Sequence, residues 1–248
     1  MNKYSLERIF TDLNLGDLSQ IHIGDSRADE EEENLEKVLD FKAKQRIVSF
    51  INFGLIALYT RFPLKEREVL VQMISGKREY VLDREYAVSN EESAEPNKYI
   101  LDNELNPFKN DIIRIDSCFG SSGTEYAINN DGSKLSIYTP DYITIQVPNF
   151  ILESNLSLIY RAKHDDVVYN RDTDEKNIFV HVPSYLYDAL LQYVTYRVHK
   201  MRNNQEARVD SLQALQLFNA LCEETETRNL THNGFTSNFS KLDDNGWV

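Results

Sequence analysis

The sequence contains few glycines, and they form no phosphate-binding pattern. Nine glycines occur in 248 residues, and neither GxxxxGK[ST] nor GxGxxG is present. Nucleotide-binding folds need such turns because their backbone must approach the phosphates closely. The scarcity of glycine therefore argues against a nucleotide-binding enzyme.

Cysteine and histidine are also sparse. Cys118 and Cys222 are far apart in the sequence and belong to no CxxC or Cys/His pattern. We expect each of them to be a buried apolar residue. No two of the five histidines are three or four residues apart, and HExxH does not occur. The sequence therefore predicts neither a metal site nor a cofactor.

Three short segments contain residue types that enzymes or metal sites use. His164 precedes two aspartates, which is a grouping able to move protons, but turns at strand ends have the same composition. Residues 118–123 place glycines around two adjacent serines, whereas a nucleophile elbow requires GxSxG between a strand and a helix. The acidic run at residues 25–36 lacks the alternating ligands and central glycine of a calcium loop. We expect no catalytic residues, and we expect that the protein is not an enzyme.

The net charge of −13 argues against tight binding to nucleic acid, which usually requires a basic surface. The most apolar segment, residues 47–59, spans about 13 residues and is too short to cross a bilayer. The first residues lack the apolar stretch of a signal peptide. We therefore expect a soluble protein that is made inside the cell and has no membrane partner.

The spacing of apolar residues predicts helices near both ends of the chain. A short helix is predicted over residues 5–13 and a long one over residues 29–61, which Pro63 ends. Two further helices are predicted over residues 184–201 and 206–227. Because the turn between them is short, they should pack antiparallel. The residues of the last helix that we expect to face inward are Val209, Leu212, Leu215, Phe218, Leu221 and Cys222.

Between these helical zones the pattern changes to short strands separated by turns. Residues 69–74 and 78–82 flank Ser75-Gly76-Lys77, which predicts a β-hairpin. Further predicted strands cover residues 112–116, 134–138, 142–147, 156–162 and 178–182.

These elements predict an α+β fold. Neither helical zone contains enough helix for a core of its own, so residues 1–63 and 183–227 should form one helical bundle. Residues 64–182 would then be an all-β domain inserted into that bundle. Residues 228–248 are polar and have no period, which favours an extended C-terminal arm. Four apolar residues of this arm are candidate anchors in the groove of a partner: Phe235, Phe239, Leu242 and Trp247. An arm packed against its own domain is the alternative.

The order of elements resembles the head-to-tail adaptor proteins of short-tailed bacteriophages, which are also called connectors or tail tubular protein A. The similarity extends over nearly the whole chain but is carried by diffuse segments. These segments are residues 13–18, 53–63, 71–82, 158–162, 180–191, 193–198 and 217–222.

The resemblance implies a structural virion protein in the neck or tail, which is in the host cytoplasm during assembly. It implies a homo-oligomeric ring of about twelve copies, bound to the portal protein on one side and to the tail nozzle protein on the other. The genome would pass through the channel of this ring during ejection without specific binding. We expect the arm to bind the portal. An acidic channel fits this role because it repels the phosphates of DNA.

Two other functions remain open from the sequence. The chain is alternatively another phage structural protein, such as a head-completion or tail-tube component. A host-directed binding protein is the second alternative, because the acidic composition and the β domain also permit it.

Overall fold

In the computed structural model, the described residues are 2–16, 18, 40–202 and 204–230. They divide into two compact units. The first unit contains the chain up to Leu58 and again from Asp165, and we call it the helical unit. The second unit is Tyr59–His164, and we call it the β unit. Its sheets are antiparallel, which confirms the predicted α+β class.

The first strand of the helical unit lies at the start of the described chain. Strand β1, Asn2–Ser5, pairs antiparallel with β9, Phe179–Val182. The strand predicted at residues 178–182 is therefore present, but its place in the β domain was wrong. It belongs to the helical unit because its backbone partner is β1, and the β unit ends at His164.

Helix α1 spans Leu6–Leu15, close to the predicted residues 5–13. It begins where Ser5 caps the helix, since the Ser5 hydroxyl accepts a hydrogen bond from the backbone N–H of Arg8 at 3.3 Å. Its apolar residues recur at helical spacing, and those that are buried are Leu6, Ile9, Phe10 and Leu13.

Helix α2 spans Phe41–Arg61 rather than residues 29–61. It begins at Phe41 because the carboxylate of Asp40 accepts a hydrogen bond from the backbone N–H of Ala43 at 2.5 Å. Residues 29–39 of the prediction lie outside the described residues. The predicted end before Pro63 is confirmed.

Two further helices form an antiparallel hairpin. Helix α3 spans Ser184–Met201, as predicted, and α4 spans Gln205–Thr227. The side chain of Asn204 caps α4 by accepting a hydrogen bond from the backbone N–H of Ala207 at 2.7 Å. The turn between the helices leaves room only for antiparallel packing.

The main sheet of the β unit has five antiparallel strands in the order β4-β2-β8-β5-β6. These strands are β2 Glu66–Gln72, β4 Ile100–Leu101, β5 Ile112–Gly120, β6 Glu125–Tyr126 and β8 Asn155–Ala162. Strands β3, Glu79–Val81, and β7, Thr144–Gln146, form a separate pair. Alternate residues of the long strands fill one apolar core, for example Val69, Val71, Leu156, Leu158 and Tyr160.

The predicted hairpin around Gly76 is wrong. Strand β2 pairs with β4 and β8, whereas β3 pairs with β7. The reason is the buried Tyr80, whose hydroxyl accepts from the backbone N–H of Ile74 at 2.8 Å and lies 3.2 Å from the carbonyl of Lys77. A side chain thus closes the turn in place of a backbone ladder.

The strand predicted at residues 134–138 is also absent. Ile137 and Tyr138 make only isolated bridges, to Ile128 and Gln146. The hydroxyl of Ser136 accepts a hydrogen bond from the backbone N–H of Asn130 at 2.8 Å. This N–H, which a neighbouring strand would need for pairing, is therefore already bonded to a side chain.

Candidate functional site

The α3–α4 hairpin buries a stripe of mostly small residues on α4. The Tyr193 ring of α3 packs edge-on against Phe218 of α4, with centroids 5.2 Å apart. Near the turn, Nδ1 of His199 lies 3.6 Å from a carboxylate oxygen of Asp210. The buried residues of α4 recur every three or four positions and are Ala207, Ser211, Ala214, Phe218, Cys222 and Thr225.

The opposite surface of α4 is exposed and mixes apolar side chains with the uncharged polar residues Gln213, Gln216 and Asn219, and we call it the outer face of α4. Val209 and Leu212 are each 60% exposed, and Leu217 is 46% exposed. No charged residue occurs between Ser211 and Cys222. A surface helix normally carries charges on its solvent side, so three turns without one are typical of a contact surface. This outer face is the candidate functional site.

The prediction that Val209 and Leu212 face inward was wrong. Leucine and valine were counted as core residues, but the small residues Ala207, Ser211 and Ala214 face α3 instead. Small residues allow the two helix backbones to approach closely. The absence of charge over residues 211–222 was the signal in the sequence that could have identified the outer face.

Helix α2 packs against α3 through Gly54. A Cβ atom at position 54 would lie 2.7 Å from Leu190 Cδ1 and 3.1 Å from Tyr193 Cδ1, so only glycine leaves the space that these side chains occupy. Next to Gly54 on α2, the centre of the Phe53 ring lies 4.6 Å from the guanidinium of Arg197. The cation therefore covers one face of a ring that remains 43% exposed.

The solvent side of α2, which we call the outer face of α2, differs in charge from that of α4. Helix α2 contains no acidic residue. Its exposed residues include Lys42 and Arg46 in the first half and Phe53 and Ile56 in the second half. Both outer faces thus expose apolar side chains over part of their length. They differ in charge, because α2 carries basic residues near its start and α4 carries carboxylates near its end.

The β unit contains a buried group of charged and hydroxyl side chains. Asp111 lies 3.1 Å from Nη1 of Arg67 and 3.9 Å from Nζ of Lys65, and it accepts a hydrogen bond from the Tyr160 hydroxyl at 3.0 Å. Arg67 belongs to β2 and Tyr160 to β8, while Lys65 and Asp111 are the residues immediately before β2 and β5. The group therefore links three neighbouring strands. Because its side chains bond to one another, we interpret it as a group that stabilises the sheet.

A second ordered feature is a cation among tyrosines. Nζ of Lys77 lies 4.4 Å from the ring centre of Tyr99, 5.3 Å from that of Tyr86 and 5.7 Å from that of Tyr80. The Tyr86 and Tyr99 rings stack with centroids 4.8 Å apart. Lys77 thereby contacts three tyrosine rings, and these contacts hold the turn against the core.

In the segments that contain catalytic residue types, the side chains make contacts that serve the fold. The His164 ring meets Tyr59 edge-on, with centroids 5.4 Å apart. Ser121 donates from both its backbone N–H and its hydroxyl to the carboxylate of Glu153, at the tip of the β5–β6 hairpin. That hydroxyl is therefore committed to a loop contact. Within residues 2–16, 18, 40–202 and 204–230, no cluster of histidine, cysteine or carboxylate side chains could hold a metal ion.

The predicted anchors Phe235, Phe239, Leu242 and Trp247 lie outside the described residues, as does the acidic run at residues 25–36. In the part of the chain that is described, no helix combines the length and apolar composition needed to cross a bilayer. Both cysteines are buried, as predicted.

Comparison with known proteins does not assign the chain to a family: no protein-family model matches it, and a search of curated proteins finds no match.

Proposed function

We propose that the chain is a head-to-tail adaptor of a short-tailed bacteriophage. In this role it is a structural virion protein whose ring joins the portal to the tail nozzle. The finer architecture belongs to the same proposal: a helical bundle from both ends of the chain, an inserted β domain and a C-terminal arm. The resemblance of the element order to adaptor proteins motivated the idea, and three features of the molecule support it.

The uncharged outer face of α4 is the observation that carries the proposal. Three exposed apolar side chains on a helix without charge over residues 211–222 fit a surface that another polypeptide covers. An adaptor needs such faces because each of its copies contacts neighbours.

The division of the chain also supports the proposal. Both ends of the described chain contribute to the helical unit, while residues 59–164 form the β unit between them. This is the order in which an adaptor with an inserted β domain would be built. The β unit then supplies a second surface, available for the nozzle or for neighbouring copies.

The charge of the chain fits a channel through which DNA slides. Each copy carries −13, so a ring of about twelve copies surrounds its axis with negative charge that repels phosphates. The residues 17–39 are the most acidic part of the sequence, with eight carboxylates and two basic residues. We assign DNA the role of a passenger that is not bound.

The arm completes the proposal. Residues 228–248 would bind the portal through Phe235, Phe239, Leu242 and Trp247, each of which buries much apolar area for its size. Because every copy repeats the contact, a weak single arm would give tight attachment of the ring.

Imaging by electron microscopy tests the proposed function. The full chain would be mixed with purified portal rings of the same virus and examined by negative staining, with the chain and the portal alone as controls. We expect an additional ring of density on one face of the portal. Portal particles that are unchanged at a large excess of the chain would contradict the proposal.

A further inference from the structure

We propose that copies of this chain bind one another through two different helix faces. The outer face of α2 on one copy would pack antiparallel against the outer face of α4 on the next. This inference rests on the proposed ring and deepens it, because it names the surfaces that join neighbouring copies. The occupant of each face is thus a second copy of the chain.

The first surface is basic at one end and apolar at the other. On α2, the exposed Lys42 and Arg46 precede the exposed Phe53 and Ile56, and the helix itself contains no acidic residue. Phe53 and Ile56 are 43% and 47% exposed, although both are large and apolar. A partner for this face should supply carboxylates and apolar side chains in the matching order.

The second surface has the complementary composition. On α4, the apolar residues Val209, Leu212 and Leu217 precede the exposed Glu223, whose neighbour Glu224 is paired with Arg228 at 2.6 Å. Residues 209, 212, 216, 220 and 223 follow one another at spacings of three and four, so they share the solvent side of the helix. In an antiparallel arrangement, the acidic end of α4 meets the basic end of α2.

The spacing along the two helices also matches. Arg46 and Ile56 are ten residues apart, which is about 15 Å at 1.5 Å per residue. Leu212 and Glu223 are eleven residues apart, which is about 16 Å along the helix. Charged and apolar contacts can therefore form at the same time. When Arg46 lies opposite Glu223, Phe53 lies between the turns that carry Leu212 and Leu217.

This pairing is heterologous, since the two faces belong to different helices. A heterologous contact leaves one unused face at each end of a pair, so copies continue to add until the assembly closes. A symmetric dimer would need a self-complementary face. Helix α2 has no acid to place opposite its own Arg46, so it cannot pair with itself in this way. Helix α4 carries the exposed Arg208 as well as the exposed Glu223, so an α4–α4 dimer is the competing arrangement, and it would leave the Ile56→Glu variant dimeric.

Mixing two single-face variants tests the inference on the full chain. Ile56→Glu removes the α2 face, and Leu212→Glu removes the α4 face. Both positions are exposed, so the fold should be retained, which circular dichroism and thermal unfolding would verify. By analytical ultracentrifugation, we expect wild type to form species larger than a dimer and each variant alone to be monomeric. A 1:1 mixture should form dimers only, because it contains one intact pair of faces.

Three results would overturn the inference. They are a monomeric wild-type chain at tens of micromolar, a single variant that assembles like wild type, and a mixture that stays monomeric. Portal binding is measured separately. If wild type binds portal but both variants still assemble normally, the adaptor function stands and these two faces are rejected. If the chain self-assembles through these faces but does not bind portal, the faces stand and the adaptor function is rejected.

A charge exchange gives an independent measurement. Arg46→Glu and Glu223→Lys should each weaken self-association by about threefold in 0.05 M salt, because each places like charges opposite one another. The double variant should recover wild-type association. As a matched control, Glu206→Lys changes the same charge on the first turn of α4, away from the basic end of α2. A double variant no stronger than the single ones would reject the proposed alignment.

Discussion

The hydroxyl of Tyr160 donates a hydrogen bond to Oδ1 of Asp111 at 3.0 Å inside the β unit. Arg67 reaches the other carboxylate oxygen, 3.1 Å away. Burial and the neighbouring carboxylate raise the pKa of Tyr160, so the phenol keeps its proton and continues to donate.

Tyr160→Phe should therefore destabilise the β unit. We expect the free energy of unfolding to fall by about 1–3 kcal/mol, since Asp111 stays buried with one hydrogen bond fewer. Urea unfolding measures the change. Tyr142→Phe removes a hydroxyl from a residue that is 62% exposed, and it should be close to neutral. Equal effects of the two substitutions would show that the contact to Asp111 contributes nothing.

Asp102 gives the β unit a stability that depends on pH. Burial alone would raise the pKa of this carboxyl, but hydrogen bonds from the hydroxyl of Ser89 and from the backbone N–H groups of Phe108 and Ser89 outweigh burial and lower it. A lowered pKa in the folded state means that the carboxylate stabilises the fold above its unfolded pKa of about 3.9. That stabilisation is lost as the pH falls through the folded pKa.

Asp102→Asn should consequently be less stable than wild type at pH 7 and should lose less stability on acidification. We expect the two unfolding free energies to converge as the pH falls below about 4, the unfolded pKa of an aspartate. Urea titrations across that range provide the measurement, with the exposed Asp131→Asn as control. A difference between wild type and Asp102→Asn that is the same at every pH would contradict the assignment.

Gly54 limits the size of side chain at the contact between α2 and α3. Gly54→Leu should lower the free energy of unfolding by about 1–3 kcal/mol, because Leu190 and Tyr193 already occupy the space. Gly54→Ala should have a smaller effect, since the gain in helix propensity offsets part of the strain. Thermal unfolding would rank the two. Ser49→Leu, at an exposed position of the same helix, serves as control and should unfold close to wild type.

Deleting residues 231–248 should prevent docking on the portal while leaving both units folded. The deletion removes Phe235, Phe239, Leu242 and Trp247 and stops just beyond the described end of the chain. Co-sedimentation with portal rings measures docking, and circular dichroism confirms folding. A fourfold alanine substitution of the same residues separates the anchors from the length of the arm. If either variant docked as well as wild type, the helical unit rather than the arm would have to make the contact with the portal.

Charge repulsion should keep duplex DNA off the assembled protein at about 0.15 M salt. Replacing residues 29–33 by their amides removes five negative charges and leaves each copy at −8, so the repulsion should weaken but DNA should still not be retained at about 0.05 M salt. An electrophoretic mobility assay with a duplex of random sequence measures both cases. Retention of DNA by wild type at the higher salt would refute the proposed channel.

Local chemistry made several elements predictable. Asn204 caps α4 with its own side chain, and Ser5 does the same for α1, so both helices begin within one residue of the predicted start. Signals of this kind act over three or four residues and can be read from the sequence. The start of α2 at Asp40 has the same cause, but the apolar spacing of residues 29–39 concealed it.

Contacts between distant residues could not be predicted in this way. The hydroxyl of Tyr80 closes the turn at Gly76 only because the core places that ring beneath it, and spacing carries no information about this placement. The pairing of β1 with β9 likewise joins segments that share no local signal. For the candidate site, composition alone identified α4 as a helix but assigned Val209 and Leu212 to the wrong side. The small residues that face α3 provided less apolar signal than the leucines that face solvent.

The pairing of β1 with β9 has a consequence for the order of events on the ribosome. Asn2–Ser5 leaves the exit tunnel before the β unit, whereas its partner Phe179–Val182 is made only after every strand of that unit. Because domains generally fold as units during synthesis, the β unit can complete its core while α1 still lacks the surroundings that bury Ile9 and Leu13. The apolar residues of α1 therefore stay accessible to chaperones while the β unit is synthesised, and this exposure ends only when β9 and α3 emerge.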